Sequence, residues 1–126
     1  MSKKKDTEQE IYVIETNIDD MNPQRYGGLM EKLFRKGALD VFWTPVQMKK
    51  NRPGVLVTVL AGEEDREKLI ELIFRETTTF GIRYYKVMRR TLRREQKKIK
   101  GRRIKIGKYQ NKIYTVSPEY EDWKDK

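Results

Sequence analysis

Lys49-Lys50-Asn51-Arg52-Pro53-Gly54-Val55-Leu56-Val57-Thr58-Val59-Leu60 reads as a polar turn followed at once by a strand. Pro53-Gly54 favours a chain reversal, and six residues rich in β-branched side chains favour an extended, packed backbone. Upstream, Leu39 to Met48 also has strand composition, so the two segments are expected to form a hairpin about that turn. Pro45 cannot donate to a sheet ladder, which assigns its strand to an edge or a bulge. A hairpin at the middle of a short chain separates two halves, and each half offers one more strand and one helix.

In the first half, Ile11-Tyr12-Val13-Ile14 reads as a buried strand, and residues 1–9 as a disordered polar leader. Asn22-Pro23 marks a helix start, with Asn22 as N-cap and proline in the first helical position. Tyr26, Leu29, Met30, Leu33 and Phe34 recur at three- and four-residue spacing on one face, and Gly37 ends the helix. In the second half, Glu63, Glu64 and Asp65 put negative charge at a helix N-terminus. Leu69, Ile70, Ile73 and Phe74 make that helix's inner face, and Thr77-Thr78-Thr79 stops it. Gly81 leads into a fourth strand through Ile82, Tyr84, Tyr85 and Val87. The order is βαββαβ, an α+β sandwich of ferredoxin-like type, with both helices on one sheet face if its crossovers are right-handed. Beyond it, Leu92 to Ile99, Arg102 to Ile106 and Lys112 to Val116 alternate apolar with basic residues, and Gly101 and Gly107 are expected to mark turns. The expected organisation is therefore one domain over 10–126, whose β extension starts at about residue 89.

Composition limits the chemistry. Of 126 residues, 37% are hydrophobic and 38% charged, material for one sheet and two helices. Cysteine and histidine are both absent, which excludes disulfides, thiolate or imidazole metal sites and serine–histidine catalysis. A bound cation would need oxygen ligands, as magnesium and manganese accept. No apolar run approaches the ~20 residues that span a bilayer, and Met1-Ser2-Lys3-Lys4-Lys5-Asp6 lacks the apolar segment of a signal peptide, so a cytoplasmic protein without membrane contact is expected. Residues 1–80 hold 13 Lys and Arg against 14 Asp and Glu, whereas residues 81–126 hold 16 against five. So one-sided a charge points to a polyanionic partner or to a solvated basic surface.

Four segments could carry chemistry. Glu15-Thr16-Asn17-Ile18-Asp19-Asp20-Met21-Asn22 gathers oxygen donors for a divalent cation, or acids that favour a helix N-terminus. Lys49-Lys50-Asn51-Arg52 could grip phosphate oxygens, or form an ordinary polar turn. Arg75-Glu76-Thr77-Thr78-Thr79, with Arg83, offers hydroxyls and guanidinium groups to a phosphate and ribose, although Arg75 and Glu76 could equally pair with each other at the surface. Ser117-Pro118-Glu119-Tyr120-Glu121-Asp122-Trp123 supplies acceptors, or folds back on the basic strands.

These segments together, with Gly37-Ala38-Leu39-Asp40-Val41 and Thr44-Pro45, resemble the C-terminal domain of the nickel insertion proteins of nickel-pincer nucleotide biosynthesis, the LarC family. The resemblance runs from about Tyr12 to Asp122. It implies a CTP-dependent nickel chelatase, a lyase that inserts nickel into a pyridinium bisthiocarboxylate mononucleotide, whose C-terminal domain binds CTP with manganese or magnesium. On that resemblance Asn17, Asp19 and Asp20 become candidate metal ligands. Lys49, Lys50, Arg52, Arg75, Thr77, Thr78, Arg83 and Glu119 become candidate nucleotide or phosphate contacts. Family members are longer, and their N-terminal portion is thought to handle nickel and precursor. That portion is absent here, so the expected alternatives are a separately encoded half with an N-terminal partner chain, a truncated piece or a divergent domain, inactive alone and forming a homo-oligomer. The family's cysteine after the Glu-Tyr-Glu-Asp motif is replaced here by Trp123.

Two other readings compete. An RNA-recognition module shares the βαββαβ order, but its third strand should carry stacking aromatics and Val55 to Val59 has none. A purely structural, oligomerising domain would use the open strand edges.

Overall fold

The computed structural model describes residues 7–118. Strand β1 (Glu8–Ile18) is followed by helix α1 (Arg25–Arg35), then β2 (Asp40–Met48) and β3 (Arg52–Ala61), helix α2 (Glu63–Glu76) and β4 (Arg83–Arg90). Strands β5 (Arg93–Ile99), β6 (Arg102–Tyr109) and β7 (Lys112–Pro118) complete the chain. β1 starts at Glu8, inside the expected leader, and runs four residues past Ile14. The fold divides into two compact units, one of residues 10–88, the other of residues 1–9 with 89–126.

In the first unit the strand order is β2-β3-β1-β4, with β3 antiparallel to both neighbours. Register explains the core. Ile14 pairs with Val59, and Val59 with Val41; Thr16 pairs with Val57, and Val57 with Trp43. Directly paired residues share a sheet face, and these rows, with Ile18 and Val55, meet Leu29, Leu33, Leu69, Leu72 and Ile73 of the helices. Both helices thus cover one face. Pro45 lies in the edge strand, as its missing N–H requires.

Several local expectations change. Asn22 Oδ1 accepts from the Gln24 amide at 3.0 Å, so Pro23 and Gln24 form a turn and α1 begins at Arg25. Gly37 closes α1 at φ +111°, its amide donating to the Phe34 carbonyl and that of Ala38 to Leu33. This paired arrangement is the Schellman motif, for which glycine is favoured. Phe34 and Phe74 stand half exposed, because Leu33 and the Leu72-Ile73 pair already fill the stripes facing the sheet. The hairpin turn shrinks to Lys49–Asn51, with Met48 paired to Arg52 and Gln47 to Pro53. Pro53 is tolerated in β3 because β1 ends at the Ile18–Val55 pair, leaving β3 an open edge there.

In the second unit β6 lies between β5 and β7, all antiparallel. Lys100-Gly101 and Gln110-Asn111 have positive φ throughout, the backbone that two-residue hairpin turns use. Gly107 is therefore not a turn residue. It sits inside β6 at a register shift against β7.

Candidate functional site

β1 ends at Ile18, and its alternation decides where the acidic segment points. Glu15 pairs with Thr58 and Asn17 with Leu56, on the sheet face away from the helices. There Arg83 reaches across from β4. Its Nε donates to Glu15 Oε1 and its Nη1 to Asn17 Oδ1, both at 2.8 Å, while the Tyr85 hydroxyl donates to Glu15 Oε2 at 3.1 Å. That bond to a carboxylate, then burial and the Glu15 charge, pushes the Tyr85 phenol above its ordinary pKa, with Arg83 opposing.

Asp19 and Asp20 lie beyond the strand. Asp19 forms an ion pair with Arg52 at 3.5 Å, which ties the loop to the turn end of the β2–β3 hairpin. Asp20 accepts from the Thr78 hydroxyl, which ties the same loop to the α2–β4 connection. That connection is held from below. Buried Thr16 donates to the Gly81 carbonyl at 2.8 Å and meets the Thr79 hydroxyl at 2.7 Å. Thr77 caps α2, its hydroxyl donating to the Ile73 carbonyl at 2.8 Å.

Between α1 and the hairpin lies an open cleft of about 500 Å³, lined in part by Asp19, Met21, Tyr26, Trp43, Pro45 and Gly54. The Tyr26 and Trp43 rings are 5.5 Å apart and tilted at 43°. Burial, then the charges of Asp20 and Asp19, raise the Tyr26 phenol's pKa, so it stays a neutral donor at physiological pH. The cleft thus combines apolar and aromatic walls with one carboxylate, an arrangement suited to a planar polar ring with a charged substituent.

The candidate residues are therefore distributed rather than gathered. At the end of β1, Asp19 pairs with Arg52 and Asp20 with Thr78. Asn17 belongs with Arg83 on the far face, and Arg75 lies along α2 near Glu71 and Glu76, at 3.7 and 4.0 Å. Lys49 and Lys50 are exposed at the hairpin tip, where Lys50 takes a left-handed backbone at φ +59°, uncommon for a residue other than glycine. Glu119 lies outside the described residues. Among the described residues no three acidic side chains come together as a metal cage; Asp19 and Asp20, adjacent in the loop after β1, are the carboxylates of the candidate set. That donor set suits magnesium or manganese, which take one or two carboxylates and complete their shell with water and substrate phosphate.

Trp43 was not singled out from the sequence, and Tyr26 was read only as part of a helix face. The available signal for Trp43 was its period-two spacing with Val41 and Pro45, which aligns all three on one face.

A family model described as nickel insertion protein matches residues 1–126. The chain belongs to the nickel insertion protein family. Among its relatives, the pyridinium-3,5-bisthiocarboxylic acid mononucleotide nickel insertion protein of Acetivibrio thermocellus is 50% identical over 129 residues, covering 97% of this chain and 31% of that protein. The protein of the same name from Clostridium acetobutylicum is 48% identical over 118 residues, 90% of this chain and 28% of that one. The chain thus spans less than a third of the length of these relatives. Among solved structures, LarC2, the C-terminal domain of a cyclometallase involved in synthesis of the NPN cofactor of lactate racemase, superposes in its apo form with a TM-score of 0.86. It is 36% identical and covers 94% of this chain and 85% of its own. A Methanopyrus kandleri protein shares the fold at a TM-score of 0.68 and 22% identity, covering 94% of this chain and 78% of that one. Among the described residues no helix is long and apolar enough to cross a membrane.

Proposed function

We propose that this domain binds CTP with a magnesium or manganese ion at the end of β1, as the nucleotide-binding part of a cytoplasmic nickel insertase. The observation that carries the reading is the pairing of Asp19 with Arg52 and of Asp20 with Thr78 at the end of β1, where Asp19 also lines the cleft walled by Tyr26 and Trp43. Asp19 and Asp20 would hold the cation, which when bound neutralises phosphate charge and orients the triphosphate. Arg52 releases Asp19 to the metal and turns its planar fork to phosphate oxygens, a geometry arginine provides and lysine does not. Lys49 and Lys50 stand at the hairpin tip as further cations for the triphosphate, and Trp43 offers an apolar face to the base. We read the strand order β2-β3-β1-β4 as that of a ferredoxin-like sandwich.

Nickel is the substrate in this scheme. With neither histidine nor cysteine in the chain, its ligation falls to a separate N-terminal portion, in keeping with the length of the relatives. We expect no nickel insertion from this chain alone, and a homo-oligomer built through the open sheet. RNA is disfavoured, because the two central strands present Glu15, Asn17, Leu56 and Thr58 on the free face, and the aromatics there, Phe42 and Tyr85, lie on the outer strands.

The test is a thermal-shift series with CTP, ATP and GTP, each with and without manganese. A ligand at 100 times its Kd adds about 2.7 kcal/mol to native stability. Stabilisation by CTP with manganese, weaker with ATP and GTP and lost in Asp19→Asn/Asp20→Asn, is the expected result. Equal, metal-independent stabilisation by every nucleotide, abolished by salt, would refute it.

A further inference from the structure

We propose that the β5–β6–β7 sheet carries a second anion site, a phosphate-binding cleft over Gly107 that is separate from the nucleotide reading above. Register builds it. Arg94 of β5 pairs with Gly107 of β6, and Gly107 pairs with Thr115 of β7, so the three form one row across one sheet face. The middle member has no side chain. Lys105 lies two residues from Gly107 on the same strand, hence on the same face and about 7 Å along it. The row thus sets a guanidinium, an ammonium and a hydroxyl along an open cleft of about 370 Å³, whose walls Thr91 and Leu92 complete.

Three features argue for a ligand rather than a bare basic surface. Among the described residues, none forms an ion pair with Arg94 or Lys105, whereas Glu95, the lone acid between residues 83 and 105, is drawn to the opposite face and pairs with Lys108 at 3.1 Å. Among the described residues the two cleft cations are thus left without a counter-charge, while Glu95 stands next to Arg94 in sequence. A Cβ at Gly107 would lie 2.7 Å from the end of the Leu92 side chain and 2.5 Å from the Thr115 hydroxyl oxygen, so a larger residue would push both aside. Glycine within a strand marks a close backbone approach or a bulge, and here the register against β7 shifts immediately after it. The donor set matches a phosphate. Arginine binds two oxygens in its fork, lysine adds a point charge, and threonine hydroxyls donate to the remaining oxygens. The ligand class is a phosphate or diphosphate group, free or carried on a nucleotide.

The experiment uses the full chain labelled with nitrogen-15, titrated with inorganic pyrophosphate in the absence of metal at physiological salt. The expected footprint is a set of amide shifts centred on Arg94, Gly107 and Thr115. Arg94→Gln/Lys105→Gln should raise the Kd by about tenfold or more, the loss of two charge-assisted contacts. Lys100→Gln/Lys112→Gln removes the same charge at the two hairpin turns and should change the Kd by less than about twofold if the site is local. The spectra themselves report whether each variant is folded. Inorganic phosphate and CMP separate the sources: equal footprints assign a free phosphate, and tighter CMP binding with added shifts at Thr91 and Leu92 assigns a nucleotide. Equal weakening in both double variants, or shifts spread over every basic strand residue, would overturn the proposal. So would binding confined to an oligonucleotide with a footprint along Lys98 and Arg103.

Discussion

Gly54 sits where the turn end of the hairpin passes the end of β1, and a Cβ there would lie 2.9 Å from the Ile18 carbonyl oxygen and against the Met48 sulfur. The sulfur can swing aside; the backbone carbonyl cannot. Gly54→Ala is therefore expected to destabilise the fold by about 1–3 kcal/mol, the usual cost of overpacking. Gly81→Ala meets open space and should stay within about 0.5 kcal/mol. Parallel denaturant titrations of the two variants check the contrast. Thr16, only 1% exposed, makes a different kind of demand. Thr16→Val keeps the shape but removes the donor to Gly81 and the contact to Thr79, at an expected cost of about 1–3 kcal/mol. Because that loop also carries Thr78, the variant should lose stabilisation by CTP with manganese as well, while Thr16→Ser retains both. A Thr16→Val protein with unchanged ligand response would show that the loop does not depend on this hydroxyl.

At the scale of the elements, the two helices are joined across their outer surface by Glu76. Lys32 Nζ binds its carboxylate at 2.8 Å, and Arg25 Nη2 donates to its carbonyl at 2.8 Å. The bond from Lys32, then the charges of Lys32, Arg75 and Arg25, hold the Glu76 carboxyl below its ordinary value of 4.5 against a smaller opposing effect of burial. A lowered folded-state pKa means that the unfolded chain binds its proton first as pH falls. The contribution is thus complete above 4.5 and is lost as the pH drops through the lower folded value. Melting curves from pH 7 to pH 3 should show Glu76→Gln less stable than the parent at neutrality, with the gap closing in acid. A gap independent of pH would mean that the ion pair is not its origin. The elements themselves were legible in the sequence, because apolar spacing, Gly37 and the acidic first turn of α2 are local signals. Gly107 and Pro53 were misread as turn residues because their roles are set by neighbouring strands: β1 has ended beside Pro53, and Leu92 and Thr115 close over Gly107. The candidate site was legible only in part for the same reason. Asn17 and Asp19 are two residues apart in sequence, but the end of the strand between them sends one to Arg83 and the other to Arg52. The aromatic wall of Trp43 and Tyr26 comes from two elements whose meeting no local pattern records.

Across the whole molecule the charge is segregated, with the excess of Lys and Arg falling in residues 81–126. Within the three-stranded sheet this creates like-charge neighbours, as Lys98 pairs directly with Arg103 across β5 and β6. Such pairs are destabilising by an amount that salt screens. Stability should therefore rise between low and moderate ionic strength. Lys98→Glu turns the pair into one of opposite sign, so at low salt it should gain about 0.2–1 kcal/mol, and its salt response should be flatter than the parent's. Denaturant midpoints measured with sodium chloride decide the matter. If the parent's midpoint does not move, the basic strands are already neutralised within the folded chain. If it moves further with phosphate than with chloride at equal ionic strength, specific anion binding is added to screening, and that excess should disappear in Arg94→Gln/Lys105→Gln. A basic surface that merely keeps the protein soluble would respond to ionic strength alone.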